Sequence, residues 1–173
     1  YKWMWSNTEH FMSLFRASKP VICKIHGLGA FAGGSDIALC CDFIFMCDDA
    51  QIGYMPARVW GVPTTAMWVY RLGAEKAKRM LFTGDKISGT EAEKIGLILK
   101  AVQKDQIDNE VEKFALRMTS VPINQLTMQK LMINQAIEAS GLINTQRFAT
   151  IFDGILRRSF GAITHPWSLI LTR

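Results

Sequence analysis

Apolar and polar positions change period several times along the chain, and each change marks an element. Over residues 3–17, Trp3, Asn7, Phe11, Leu14 and Phe15 recur at helical spacing. The pattern predicts a helix that stops before Lys19-Pro20, because a proline disfavours helical geometry in the residue ahead of it. The run "VICKI" (21–25) then predicts a buried strand, and after a glycine-rich turn "SDIALCCD" (35–42) predicts a short helix. "FIFMC" (43–47) is a second apolar strand, ended by Asp48-Asp49. The stretch "GYMPARVWGVP" (53–63) breaks all periodicity with two prolines and two glycines, and is expected to be the loop wall of a pocket. "TTAMWVYRLG" and "AEKAKRMLFTG" predict two helices, each closed by glycine. In "SGTEAEKIG" a Ser and a Thr each stand three residues before a Glu, the capping-box spacing that opens a helix. "LILKAV" predicts a last strand, and from Asp105 to about Arg158 the pattern is helical, punctuated by Pro122 and Gly141.

Strand, helix and strand followed by a long helical stretch predict an α/β fold with a parallel sheet. The expected division is a core over residues 1–103 and a helical tail over 104–173. In that tail Leu116, Met118, Leu126, Met128, Leu131, Met132 and Ile133 are more apolar surface than one face of a small domain needs, so part of it is expected to pack against neighbouring subunits.

Composition narrows the function classes. With 173 residues, 49% hydrophobic and 20% charged, the chain can bury a real core. The net charge of +5 comes from dispersed Lys and Arg, which suits an anionic ligand better than a nucleic-acid stripe. An RNA-binding reading has only that charge behind it, with no clustered basic helix or stacking aromatics. Cys23, Cys40, Cys41 and Cys47 sit among apolar neighbours without zinc-site spacing, so buried, reduced thiols in a cytoplasmic protein and no metal are expected. Asp36 and Asp42 interrupt the longest apolar run, so no membrane span is expected. The opening "YKWMW" has neither an initiator methionine nor a signal pattern, and an upstream portion is expected.

The chemistry centres on "HGLGAFAGGSDIALCCD", which crowds four glycines in front of Asp36. A dinucleotide fingerprint needs G-x-G-x-x-G, but Gly27, Gly29 and Gly33 are off by one. In that arrangement Asp36 would repel a pyrophosphate. An anion hole fits better: glycines at a helix N-terminus leave backbone N–H groups open to a ligand oxygen, and a carboxylate one turn on can move a proton beside it. The competing reading is structural, with glycines for close packing and Asp36 as a helix cap.

The residues "KPVICKIHG…AGGSDIALCCDFIFMCDDAQIGY.PARVWGVP…RLG…AKRMLFTGDKISGTEAEKIGL" resemble the enoyl-CoA hydratase/isomerase (crotonase) superfamily from about Lys19 to Leu97, with a weaker helical continuation to about Arg158. The resemblance implies a crotonase-like spiral of ββα units followed by a helical oligomerisation tail. It also implies an acyl-coenzyme A thioester as substrate, with no further cofactor, and a homotrimer or dimer of trimers. It places the backbone N–H of Gly33 on the thioester oxygen and Asp36 in the first catalytic carboxylate position. Gly34, Tyr54, Pro56, Ala57 and Trp60 become substrate-binding candidates.

Two departures from the family pattern matter. Hydratases of the family carry a second glutamate after the pocket-loop proline, where this chain has Ala57. Isomerisation, which one base can perform, is expected to survive that loss better than hydration. The family's other N–H donor and its adenine-binding loop come from a region that would precede Tyr1. The alternative is a scaffold of this fold that assembles or binds acyl-CoA without chemistry. Arg58 is expected to be a salt-bridge partner, Met67 and Trp68 core residues, and His165, beside Pro166, a surface residue.

Overall fold

The computed structural model describes residues 2–159, and the last stretch of the expected tail, with His165 and Pro166, lies outside them. Six strands form: Ile22–Ile25 (β1), Gly29–Phe31 (β2), Phe43–Cys47 (β3), Gln51–Gly53 (β4), Lys86–Ser88 (β5) and Lys100–Val102 (β6). The helices are Lys2–Arg16 (α1), Gly33–Leu39 (α2), Met67–Leu72 (α3), Ala74–Thr83 (α4), Gly89–Lys94 (α5), Ile107–Met118 (α6), Ile123–Ala139 (α7) and Leu142–Ser159 (α8), with a 3-10 turn at Met55–Arg58.

The strands divide between two sheets. One has the order β1-β3-β6, all parallel, with Ile22 opposite Phe43 and Phe45 opposite Lys100. The other has the order β2-β4-β5, with β2 parallel to β4 and β5 antiparallel to it. Consecutive strands thus go to different sheets, β1 then β2 and β3 then β4, with α2 between the pairs: a ββα repeat. Parallel pairing was expected for the first sheet. The second was not anticipated, because three-residue strands are too short to show alternation and β2 begins inside the glycine-rich turn. There Gly29, at φ 121°, lies so close to β4 that an added Cβ would fall 1.8 Å from the Gln51 carbonyl oxygen. Only glycine lets these two strands meet.

Two other boundaries moved. Ala66 takes a left-handed conformation at φ 58°, so α3 starts at Met67 and leaves Thr64 and Thr65 in a turn. Of "LILKAV" only Lys100–Val102 pairs as a strand. The helix ends follow their sequence signals. Gly84 is left-handed at the end of α4, and the Ser88 side chain accepts the Glu91 N–H at the start of α5. Met12, Leu39, Ile44, Met46, Met67 and Trp68 are buried in the core between the helices and the first sheet. The expectation for Met67 and Trp68 holds. Among the described residues no helix is long and apolar enough to cross a membrane.

The helices after β6 attach through polar anchors. Lys130 of α7, 8% exposed, donates from Nζ to Asp42 Oδ2 at 2.7 Å and to the carbonyls of Leu14 and Lys19 at 3.1 Å each. On α8, Leu142, Gln146, Ala149, Thr150 and Asp153 form one buried stripe at helical spacing. On the outer surface of α6 and α7, Leu116, Met128, Leu131, Met132 and Ile133 are exposed.

Candidate active site

The site begins at the strained entry to α2. Ala32 precedes the helix at φ 50° and ψ −122°, a region that costs a non-glycine residue of order 1–3 kcal/mol. Its carbonyl accepts the Asp36 N–H at 3.1 Å and the Ser35 hydroxyl at 2.7 Å, which fixes the direction of the first turn. No side chain caps this end, so Asp36 is not the helix cap. Close packing does not explain the glycines here either. An added Cβ at Gly34 would meet nothing within 4 Å, and at Gly33 it would only touch the Phe11 ring at 3.7 Å. Gly29 serves packing, whereas the space around Gly33 and Gly34 would admit a side chain.

Asp36 is 3% exposed. Its Oδ1 accepts a 2.5 Å hydrogen bond from the Thr65 hydroxyl, supplied by the turn before α3. Burial, which penalises the charged form, pushes the carboxyl up to about 7; the Thr65 hydrogen bond lowers it and the nearby charge of Asp153 raises it. A carboxyl poised near neutrality can both take and return a proton at physiological pH.

Tyr54, a substrate-binding candidate, is buried at the end of β4, and its phenol is pushed upward by burial and by the charges of Asp36 and Asp153. The two carboxylates and Tyr54 therefore share one neighbourhood. Pro56 and Ala57 lie in the 3-10 turn, where the Pro56 carbonyl accepts the N–H groups of Val59, Trp60 and Gly61 and tightens the loop. Trp60 is half-buried under the Arg157 guanidinium, 3.9 Å from its ring centroid. Arg58 turns away to the Thr83 carbonyl at 2.6 Å and Asp85 at 3.4 Å, the structural role expected of it. Val62 and Pro63, at the end of the loop, line an apolar cavity of about 240 Å³ with Trp68, Phe148 and Phe152.

Three contributors were missed in the sequence. Thr65 was assigned to a helix rather than to a turn facing Asp36. Gln146 donates from Nε2 to the Thr65 carbonyl at 2.9 Å, and its buried Oε1 has no partner among the described residues. Asp153, fully buried, accepts the Val62 N–H at 3.1 Å and Arg157 Nε at 2.7 Å. The one signal for Gln146 and Asp153 was helical spacing, since Gln146, Thr150 and Asp153 punctuate the apolar stripe of α8 with polar residues.

A ββα repeat whose glycine-opened helix carries a buried carboxyl in its first turn fits a crotonase-type α/β domain. The chain belongs to the enoyl-CoA hydratase/isomerase family, whose model matches residues 2–152. A crystal structure of enoyl-CoA hydratase from Mycobacterium smegmatis superposes with a TM-score of 0.87 at 44% identity, covering 91% of this chain and 54% of that one. A crotonyl-CoA hydratase of Syntrophomonas wolfei is 34% identical over 124 residues, 69% of this chain and 47% of the relative. A short-chain-enoyl-CoA hydratase of Clostridioides difficile is 36% identical over 103 residues, 57% of this chain and 64% of the relative. The chain spans about half the length of the first curated relatives it matches.

Proposed function

We propose that the chain carries the proton-transfer half of an acyl-CoA site that shifts the double bond of an enoyl thioester through an enolate. The observation behind this reading is Asp36, buried one turn after Gly33 with the Thr65 hydroxyl as its hydrogen-bond partner and poised near pH 7. The Asp36 carboxylate removes a proton from C2 of a 3-enoyl thioester, and the electrons delocalise onto the thioester oxygen. The Gly33 N–H, at the positive end of α2, stabilises that oxygen. Asp36 then returns the proton to C4, giving the conjugated 2-enoyl thioester, with no net change in protons or electrons.

Hydration makes a further demand, because a second carboxyl must hold the attacking water. Ala57 supplies none from the pocket loop, and Asp153 is engaged with the Val62 N–H and the Arg157 guanidinium. Isomerisation is therefore favoured over hydration. The substrate contacts proposed are Gly34, Tyr54, Pro56, Ala57 and Trp60 around the thioester and acyl chain, with no cofactor beyond coenzyme A. The exposed apolar residues of α6 and α7 support a proposed homotrimer or dimer of trimers.

Supplying the protein with a 3-enoyl-CoA and, separately, with crotonyl-CoA and water tests this. The expected result is Asp36-dependent formation of the conjugated thioester with little hydration. Efficient hydration of crotonyl-CoA would contradict the isomerase reading, and thioester binding without either reaction would establish the scaffold alternative.

A further inference from the structure

Helix α8 touches the Asp36 site at two points on one face, two turns apart. Gln146 holds the Thr65 carbonyl while the Thr65 hydroxyl holds Asp36. Asp153 holds the Val62 N–H at the end of the pocket loop, and it is bound in turn by Arg157, whose guanidinium covers the Trp60 ring. Loop and helix are thus clasped around one buried carboxylate. We propose that Asp153 and Arg157 form a positioning pair for this site, in which α8 fastens the pocket loop and brings a buried, fixed carboxylate into the neighbourhood of Asp36.

The arrangement has a chemical consequence for Asp36. A fixed negative charge nearby disfavours ionisation of Asp36, and the Arg157 guanidinium offsets part of that charge. Cys40, one turn beyond Asp36, feels the Asp36 charge, and its thiol is pushed up to about 12 by burial and by that charge, so it stays neutral. Arg16 of α1 and Arg71 of α3 lie against Cys40, and Arg16 is paired with Glu9. Lys2 and His10 of α1 are exposed. Tyr54 faces both carboxylates but stays neutral, because burial and their charges raise its phenol. β2 contributes no ionisable residue. Burial is the main reason that Asp36 holds its proton, and Asp153 is the charged group that adds to it. Asp153 itself is a positioning residue: its oxygens are occupied by Val62 and Arg157, and it acts on substrate only through Asp36 and the loop.

The inference rests on the assignment of Asp36 as the proton-handling group, and its test reads Asp36 directly without acyl-CoA. With side-chain carboxyls labelled with ¹³C, Asp36 is titrated by NMR in the full chain, its resonance assigned from Asp36→Asn. Asp153→Asn is expected to lower the Asp36 midpoint by about half a pH unit or more. Arg157→Gln is expected to raise it, and Arg157→Lys, which keeps the charge, to restore it. The opposite signs carry the test. If the pair were merely structural, either neutral variant would loosen the loop, admit water and lower the midpoint. A fall in Arg157→Gln, or no movement in either neutral variant, would overturn the proposal. Should Asp153→Asn fail to fold, the Arg157 variants decide by themselves. Midpoints that move as expected in a protein without proton-transfer activity would uphold the pair and refute the enzymatic reading separately.

Discussion

Asp36 and Asp42 lie in the same short apolar run, yet the fold gives them opposite surroundings. Asp42 accepts the Val21 N–H at 2.7 Å and pairs with Lys130, itself held by two carbonyls. Both bonds meet at Oδ2, and through Lys130 this acid ties the start of β1 to α1 and α7. Asp36 has the Thr65 hydroxyl as its hydrogen-bond partner, with another carboxylate for a neighbour in place of a cation. A buried acid with a matching cation fixes structure, whereas one denied a cation is held ready to exchange a proton.

The sharpest way to break that contrast is to neutralise each acid's special feature in turn. Asp36→Asn is expected to lower proton-transfer turnover by roughly 10²–10⁴-fold, the usual worth of a general base. The same variant should gain stability at high pH. Because the folded-state value, about 7, lies above the ordinary 3.8, the native protein holds an extra proton between those limits. Stability from Asp36 is thus full below about pH 4 and is lost as pH rises through 7, a difference on the order of 4 kcal/mol. Denaturant titrations at pH 5 and pH 8 should show a steep loss in the wild type and a flatter profile in Asp36→Asn.

Lys130→Met should do the reverse, costing about 3–5 kcal/mol because it strands the Asp42 carboxylate. It should leave the Asp36 midpoint where it is, and a shift of that midpoint would show that the two acids are not independent. Thr65→Val removes the hydrogen bond that favours the charged form of Asp36, so the midpoint should rise with little change in fold, again readable by carboxyl NMR. Ser88→Ala, remote from both acids, should cost only about 1 kcal/mol in thermal or denaturant melts, the ordinary value of a helix cap.

The contrast also shows what a linear sequence can carry. The helices α1, α2 and α4 and the strands β1 and β3 were legible because each declares its period or its stop within a few residues, and the Ser88 cap because its partner stands three residues on. Gly33 and Asp36 were legible as a unit for the same reason. Which of two acids would be neutralised was not, since the deciding Lys130 lies 88 residues from Asp42 and reaches it only after α7 has docked. Thr65 was hidden by the left-handed Ala66, which turns an apparent helical start into a loop. Asp153 was hidden because a polar residue on an amphipathic helix resembles its solvent face until packing shows which face is inward. The three-residue strands of the second sheet exist through pairing alone and leave no local mark.

If Asp36 moves a proton at the carbon beside a thioester, that proton exchanges with D₂O even where no double bond is shifted. The protein and Asp36→Asn would each be incubated with a saturated acyl-CoA across pH 5 to 9, and deuterium at C2 followed by NMR. The expected result is exchange that rises with pH to a plateau through a midpoint near 7 in the wild type and disappears in Asp36→Asn. Exchange of equal rate in both proteins, or none in the wild type at any pH, would contradict it.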